Sequence, residues 1–505
     1  MSLLMVTNAQ KRNRPGLCQL NTSLIFILTR ECRKSLYTKH LLTQIYFLNK
    51  KRMKTFDLIV IGSGAGLNVA VEVAQAGLKT AIIESGSLGG TCLNRGCIPS
   101  KIVIHSADVA NTINNSKLFG INSSINSINF KSVTNRANKL VDTDARNIEK
   151  SLKQGKNPIL IQGKAKFVAP YTIEVKGKKY TAKKFVIATG ARPFIPPIES
   201  LDSVPYMTST EALRQTTLPK SMVIIGGGYI GCELGNFYGS LGCNVTILQR
   251  GPLLLPREDK DVAETFTQVW KKRFNIVTNA SATKVEKKGK LIAVTAKIGK
   301  KTKTFTAEKI LVATGVTPNS DLLDVTKTNV TVSKRGFVQV NKCMETSQKN
   351  IWALGDVAGI YMFRHSANLE SDYVSHNILN KKKMAVDYFP MPHAVFSNPQ
   401  IAGVGITEQE AVEKKRKYVI GKYEYARTGM GEALGEKEGF VKLIVSKDKR
   451  ILGCHIIGPH ASVLLHEVLI AMKCGKNGLN ILRNVVHIHP ALNEVVQRAA
   501  NNVPL

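Results

Sequence analysis

Two cysteines, Cys92 and Cys97, lie five residues apart in the segment GGTCLNRGCIPSK at 89–101. On an ideal α-helix, residues at this spacing have Cα atoms about 8–9 Å from each other. A disulfide needs a Cα separation below about 7 Å. The spacing therefore predicts an irregular helix, and Gly96 and Pro99 supply the means to break it. A pair in such a segment is typical of a disulfide that opens and closes in a redox reaction.

The reactivity of the pair depends on how easily a thiolate forms, because the thiolate is the nucleophile. A helix start and the flanking Arg95 would both favour the thiolate. The alternative interpretation is two buried structural thiols. The glycines before the pair, the proline after it and the nucleotide-binding motifs around it favour the redox interpretation.

A redox thiol needs a proton partner that titrates near neutral pH, and His489 is the candidate. Pro490 biases His489 towards an extended backbone and is well suited to open a helix. Glu494 would then lie about one helical turn further on, where its carboxylate can orient the imidazole and stabilise its charged form. The motif predicts a His489–Glu494 acid–base pair.

The remaining cysteines carry no motif. The chain has nine in total, an odd number, most of them in apolar segments, which is typical of a reducing compartment. We interpret five of them as packing residues, and we expect no metal site: Cys232, Cys243, Cys343, Cys454 and Cys474.

The elements that would position this chemistry begin with an apolar strand at 56–61. The loop GSGAGLN (62–68), a helix at 69–76 and a strand at 80–83 follow. Three glycines, Gly62, Gly64 and Gly66, would let backbone amides approach a pyrophosphate at the start of the helix. Glu84, at the end of the second strand, is placed to accept ribose hydroxyls. Leu67 departs from the motif, since close helix–strand packing usually requires glycine there.

The same pattern returns as a strand at 222–225, the loop GGGYIG (226–231) and a strand at 245–248. Its glycines are Gly226, Gly228 and Gly231. Each unit is followed by an apolar strand that ends in Ala-Thr-Gly, at 188–190 and 313–315. The position that matches Glu84 is Gln249, followed by Arg250, with Arg257 one loop further. An acid at this position would repel the 2′-phosphate of NADP(H), whereas an arginine can pair with it, so the sequence favours NADP(H) over NAD(H). The alternative interpretation is that Arg250 and Arg257 are ordinary surface arginines.

Composition limits the class of protein. The 505 residues predict several domains, the 43% hydrophobic content is globular, and no apolar run is long enough to span a bilayer. The net charge of +35 would attract anions, but no nucleic-acid-binding motif accompanies it. Residues 1–52 are basic and nearly free of acid. We interpret them as an extension ahead of Met53 in a cytoplasmic protein, or alternatively as a mitochondrial transit peptide.

From about 53 to 496 the chain resembles the class I pyridine-nucleotide disulfide oxidoreductases, on the motifs GGTCLNRGCIPSK, HPALNE and Leu354-Gly355-Asp356. The resemblance implies that Cys92 exchanges with substrate and that Cys97 lies beside the flavin of FAD. It implies that Lys101 and Glu233 form an ion pair near the flavin, that Tyr229 gates the nicotinamide pocket and that Asp356 binds the ribitol. Further residues would contact FAD or NAD(P): Gly90, Thr91, Thr189, Gly190, Gly315 and Gly355.

The resemblance also implies the architecture, an α/β fold with two Rossmann-like domains and a carboxyl-terminal α+β dimerisation domain. We expect a FAD domain at 53–200 and 325–387, an NAD(P) domain at 201–324 and a dimerisation domain at 388–505. The implied assembly is a homodimer in which His489 and Glu494 act on the partner subunit's cysteines. The sequence most resembles a dihydrolipoamide dehydrogenase that acts on a small dithiol or a lipoyl domain. An NADPH-dependent reductase of a low-molecular-weight disulfide, similar to mycothione or glutathione reductase, is the alternative.

Overall fold

The computed structural model describes residues 54–504. The interpretations of residues 1–52, including localisation, lie outside this range. No helix among the described residues is both long and apolar enough to cross a membrane.

The helices and strands follow one another in chain order. The strands are β1 (Lys54–Ile61), β2 (Thr80–Glu84), β3 (Ile159–Gln162), β4 (Ala165–Ala169), β5 (Thr172–Val175), β6 (Lys178–Ile187), β7 (Ala191–Pro193), β8 (Ser221–Ile225), β9 (Asn244–Leu248), β10 (Asn275–Val277), β11 (Ala280–Lys288), β12 (Leu291–Ile298), β13 (Lys301–Ala307), β14 (Lys309–Val312), β15 (Val316–Pro318), β16 (Ile351–Ala353), β17 (Pro392–Val395), β18 (Ile401–Gly405), β19 (Tyr418–Glu424), β20 (Phe440–Ser446) and β21 (Ile451–Ile457). The helices are α1 (Gly66–Gln75), α2 (Gly90–Arg95), α3 (Cys97–Asn115), α4 (Phe130–Gln154), α5 (Ser209–Ala212), α6 (Tyr229–Ser240), α7 (Lys260–Arg273), α8 (Arg364–Leu379), α9 (Glu408–Glu413), α10 (Gly429–Ala433), α11 (Ala461–Lys473), α12 (Gly478–Asn484) and α13 (Glu494–Asn501).

Two sheets carry the glycine loops. The first has seven strands in the order β3-β2-β1-β6-β5-β4, with β16 beside β6. The second has four strands in the order β10-β9-β8-β14, and all of its pairs are parallel. Strand β1 is buried on both faces, as the unbroken apolar run of Leu58, Ile59 and Val60 predicts. Each glycine loop lies at the carboxyl end of a central parallel strand, where a doubly wound fold binds its ligand.

A third body is formed by the antiparallel sheet β17-β18-β21-β20-β19, covered by α11, α12 and α13. One row of paired positions crosses this sheet: His393 opposite Gly403, Gly403 opposite His455, His455 opposite Lys442, and Lys442 opposite Lys422. The row packs against an acidic stretch at 258–261, at the start of α7, through ion pairs that are described below.

Candidate active site

The cysteine pair lies where one helix ends and the next begins. Cys92 is in α2, Cys97 is the first residue of α3, and Gly96 separates the two helices. A Cβ atom on Gly96 would lie 2.9 Å from the carbonyl oxygen of Thr91. Glycine therefore permits the break that the spacing requires.

The two thiols act on each other's acidity. The hydrogen bond with Cys97 lowers the pKa of Cys92 to about 7, and the charges of Arg364 and Lys101 also favour its thiolate. The same hydrogen bond, together with burial, raises the pKa of Cys97. The pair thus loses its first proton near neutral pH and holds the second tightly. Arg95, the charge that the sequence suggested, has an exposed side chain, and the charge with the larger effect on Cys92 is that of Arg364 from the start of α8.

Lys101 and Glu233 join the cysteine helix to the second glycine loop. The Lys101 Nζ lies 2.6 Å from Glu233 Oε2, and the backbone N–H of Phe396 donates to Glu233 Oε1 at 3.0 Å. The ammonium also lies 4.5 Å from the centre of the Phe396 ring. Lys101 and Phe396 line a cavity of about 540 Å³, together with Cys97 and Ile98. The ion pair fixes α3 against α6 at the edge of this cavity.

Both glycine loops approach a neighbouring strand end in the same way. Gly62 has φ +105°, and a Cβ atom there would lie 2.2 Å from the carbonyl oxygen of Ala188; Gly226 has φ +111° and the corresponding distance to Ala313 is 2.4 Å. The repeated Ala-Thr-Gly motif thus supplies the carbonyl against which each loop packs. Leu67 stands where the motif usually has glycine for close packing of helix and strand, but here Gly66 makes that close approach. A Cβ atom on Gly66 would lie 2.8 Å from Ala188 Cβ.

The remaining glycines of the two loops make different contacts. A Cβ atom on Gly90 would lie 2.5 Å from Gly64 Cα, so the two residues approach as only glycines can. In the second loop a Cβ atom on Gly231 would lie 2.0 Å from the Gly226 carbonyl oxygen. Gly228 has open space in front of it and precedes α6 as its N-cap.

Glu84 and Gln249 occupy matching positions. Glu84 Oε2 accepts the backbone N–H of Ser63 at 3.0 Å, and Gln249 Oε1 accepts that of Gly227 at 3.0 Å. Both side chains therefore hold the residue after the first glycine of their loop. Arg250 and Arg257 are exposed, and neither has a carboxylate within ion-pair distance among residues 54–504.

Two polar groups around the first loop have no hydrogen-bond partner among residues 54–504, and both fit FAD. The Thr189 hydroxyl is buried and makes no hydrogen bond within this range. Burial raises the pKa of Asp356, whose carboxylate has no hydrogen-bond partner within the described chain. The preceding Gly355, at φ +73°, donates its N–H to Glu370 Oε2 at 2.6 Å. Three other residues were predicted to contact a cofactor. Gly190 and Gly315 have positive φ values of +65° and +114°, and a Cβ atom on either would meet no other atom within 4 Å. The third, Thr91, is exposed.

His489 and Glu494 form the predicted hydrogen bond. The His489 Nδ1 lies 3.1 Å from Glu494 Oε1, which lowers the pKa of Glu494. The glutamate is nearly buried whereas the imidazole is 76% exposed, and no hydrogen bond joins it to either cysteine among the described residues. The predicted helix at Pro490 was wrong: α13 begins at Glu494, and the intervening turn is stabilised by the Ala491 N–H, which donates to the Glu494 carboxylate at 3.3 Å.

The other described cysteines are not all packing residues. Cys232, Cys243 and Cys454 are buried, Cys343 is half-buried and Cys474 is exposed. The interpretation of Cys474 as a packing residue was wrong because it caps the carboxyl end of α11, where the helix leaves the core.

Sequence reasoning missed the contact of Tyr229 with Glu258. The Tyr229 hydroxyl donates to Glu258 Oε1, and His393 Nε2 lies 2.8 Å from Glu258 Oε2. Glu258 is a buried acid in the loop before α7, whereas His393 is on β17. The adjacent acids Glu258 and Asp259 were a visible signal, but no local pattern connects them with a histidine more than 130 residues further on.

Comparison with known proteins gives matches over nearly the whole described chain. Residues 56–371 match the family model described as pyridine nucleotide-disulphide oxidoreductase, and residues 391–500 match its dimerisation domain. A mycothione reductase of Mycobacterium tuberculosis is 35% identical over 460 residues, which cover 88% of this chain and 99% of that protein. A dihydrolipoyl dehydrogenase of Geobacillus stearothermophilus is 36% identical and covers 88% and 95%. The solved structure of an HOCl-induced flavoprotein disulfide reductase, RclA from Escherichia coli, has a TM-score of 0.78 and 28% identity, and covers 88% and 99%.

Proposed function

Because the chain belongs to the pyridine nucleotide-disulphide oxidoreductase family, we propose that Cys92 and Cys97 carry electrons between NADP(H) and a small dithiol or disulfide, as in a dihydrolipoyl dehydrogenase. The family is FAD-dependent and uses NAD(P)(H), and the dimerisation domain supports a homodimer. The observation that carries the proposal is the position of two free thiols at the break between two helices, one helix turn from the Lys101–Glu233 ion pair, where the neighbouring Cys97 lowers the pKa of Cys92 to about 7.

The residues around the first loop would hold FAD. Gly62, Gly64 and Gly90 give the loop the tight packing that would let its backbone amides approach the pyrophosphate, and Glu84 lies at the ribose position. Asp356 offers a carboxylate that has no hydrogen-bond partner among residues 54–504. Bound FAD supplies two-electron transfer between the nicotinamide and the cysteine pair. Lys101 and Glu233 keep the cysteine helix and the second nucleotide loop in a fixed relation.

In the disulfide-reducing direction, the Cys92 thiolate attacks a sulfur of the substrate disulfide and forms a mixed disulfide while a thiolate leaves. His489 of the partner subunit protonates that leaving thiolate, and Glu494 orients its imidazole. Cys97 then attacks Cys92, which releases the second thiol and closes the Cys92–Cys97 disulfide. In the opposite direction the same imidazole removes a proton from a dithiol.

Two features support NADP(H) over NAD(H). Gln249 carries no negative charge that would repel a 2′-phosphate, and the exposed Arg250 and Arg257, which have no ion-pair partner in the described part of the chain, could pair with one. In a Gln249→Glu, Arg250→Ala variant, we expect kcat/KM for NADPH to fall about 100-fold, since each lost charge-assisted contact corresponds to roughly tenfold or more. The matched control is Arg335→Ala, a surface arginine outside the nucleotide loops. An unchanged preference between NADPH and NADH would contradict the assignment.

A second candidate is an NADPH-dependent reductase of a low-molecular-weight disulfide. The 35% identity to mycothione reductase favours it, as do the exposed Arg250 and Arg257, which form no ion pair within the described residues. Purified enzyme should be assayed with NADH or NADPH against lipoamide, glutathione disulfide and mycothiol disulfide. Highest kcat/KM with lipoamide supports the first candidate, and highest kcat/KM with another disulfide supports the second. A Cys97→Ser variant that retained turnover would contradict both.

A further inference from the structure

Tyr229 lies between the second glycine loop and the cysteine helix. It is the first residue of α6, directly after Gly228. Glu233, four residues on and therefore on the same helix face, pairs with Lys101 of the cysteine helix. The Tyr229 ring stacks on Phe363, the residue before Arg364, with the ring centres 6.3 Å apart. The Tyr229 ring therefore lies beside the glycine loop, on the face of α6 that is turned towards the cysteine helix.

The Tyr229 hydroxyl is held by a buried acid. It donates to Glu258 Oε1, and only 1% of the Glu258 side chain is exposed. Burial opposes the ionisation of Glu258, but the hydrogen bonds from His393 and Tyr229 hold its pKa below the ordinary value. The bond is therefore one between a phenol and a carboxylate, which is roughly twice as strong as a bond between neutral groups.

The acid is in turn held by the carboxyl-terminal sheet. His393 of β17 bonds to Glu258 Oε2 at 2.8 Å, and its ring stacks on Tyr229 at 6.3 Å. Gly403, which pairs with His393 on the next strand, leaves room for this ring, because a Cβ atom there would lie 2.7 Å from it. If Tyr229 turned away, Glu258 would still keep its bond to His393. The acid would not be left buried without a partner, so opening would be reversible.

We propose that Glu258 and His393 are positioning residues that latch Tyr229 across the entrance to the nicotinamide pocket, so that nucleotide entry must break the Tyr229–Glu258 hydrogen bond. This inference rests on the proposed function, in which Tyr229 lies at that pocket. It predicts that the latch weakens nucleotide binding, because part of the binding free energy is used to open it.

The test measures binding without turnover. Calorimetry would give the Kd of oxidised holoenzyme for the tetrahydronicotinamide analogue of NADPH, which cannot donate hydride. We expect Tyr229→Phe to bind the analogue roughly tenfold more tightly, since a hydrogen bond to a charged group opposes entry in the wild type. Glu258→Gln should give a smaller gain, because the glutamine oxygen still accepts from the tyrosine but carries no charge. The double variant should bind no more tightly than Tyr229→Phe alone, because that change already removes the bond which Glu258→Gln only weakens.

Tyr418→Phe is the matched control, since it removes another tyrosine–glutamate bond, from Tyr418 to Glu408 Oε1 at 3.0 Å, within the carboxyl-terminal sheet body. It should leave the Kd unchanged. Damage to the fold would weaken binding rather than strengthen it, so tighter binding separates a latch from a merely structural contact. Unchanged or weaker binding in Tyr229→Phe would overturn the latch, as would additive effects in the double variant. Failure of the wild type to bind the analogue or its NADH counterpart would instead count against the proposed function.

Discussion

Replacement of Cys97 by alanine would test how the cysteine pair sets the reactivity of Cys92. In the wild type the hydrogen bond with Cys97 gives Cys92 a pKa of about 7, against an ordinary value of 9.0, while burial acts in the opposite direction. Alanine removes the bond and leaves the burial. We therefore expect the pKa of Cys92 in Cys97→Ala to reach about 9 or more.

The magnitude follows from two opposing effects. At pH 7 the thiolate fraction falls from about one half to about 1%, a change of roughly 50-fold. A thiolate of higher pKa is intrinsically more nucleophilic, by roughly 6- to 10-fold for two pKa units. The alkylation rate of Cys92 at pH 7 should therefore fall about 5- to 8-fold, and at pH 10 it should rise about 6- to 10-fold. The two pH profiles should cross near about pH 8.

The assay is iodoacetamide labelling of the reduced holoenzyme at a series of pH values, read by mass spectrometry. Trypsin cuts after Arg95, so Cys92 and Cys97 appear on separate peptides. Cys97→Ser is the control, since its hydroxyl keeps a hydrogen-bond donor and should shift the profile less. Profiles of wild type and Cys97→Ala with the same midpoint would refute the reasoning.

Three further outcomes are expected. In the same assay, Arg364→Gln should raise the pKa of Cys92 whereas Arg95→Gln should not; because Arg95→Gln removes the trypsin site between the cysteines, fragment spectra locate the label in that variant. Equal shifts would contradict the role given to Arg364. Gly62→Ala should abolish flavin absorbance, since its Cβ atom would meet the Ala188 carbonyl at 2.2 Å. The control is Gly77→Ala, where φ is +91° and a Cβ atom would meet nothing within 4 Å; it should keep the flavin and lose only about 1 kcal/mol of stability. Lys442→Met should lower the free energy of unfolding by about 3–5 kcal/mol, because it leaves three carboxylates without their buried cation. Burial opposes the charge of Lys442, but these carboxylates raise its pKa, so the stabilisation is fully present below the unfolded pKa of about 10.4 and is lost as pH rises through the folded value. Urea unfolding should show a constant difference between wild type and variant from pH 7 to 10, and a difference that narrowed in that range would contradict this sign.

The local parts of the fold could be predicted from the sequence. Strands β1, β2, β8 and β9 follow from short, mostly apolar runs, and the glycine loops follow from residues that alone tolerate the observed φ values and close approaches. These elements depend on neighbouring residues, and their pattern is visible in a single sequence.

The parts that depend on distant residues could not be predicted. Arg364 acts on Cys92 from more than 250 residues away, and the charge chosen from the sequence was the neighbouring Arg95. The helix expected at Pro490 does not form there, because a side-chain carboxylate takes the N–H that the prediction gave to a helix. In each case a tertiary contact replaced the local one, and such a contact has no signature in the spacing of residues.

The row of paired positions across the carboxyl-terminal sheet, which includes Lys442 and Lys422, restricts how the enzyme can move. Lys442, with 1% of its side chain exposed, lies 2.9 Å from Asp259, and Lys422 lies 3.0 Å from Asp261. Separating the second nucleotide-binding sheet from the subunit-joining sheet would expose these charges one by one and forfeit their mutual attraction. Hinge rotation of one against the other is therefore disfavoured. Cofactor exchange should proceed with the backbone framework stationary and depend on individual side chains that swing aside.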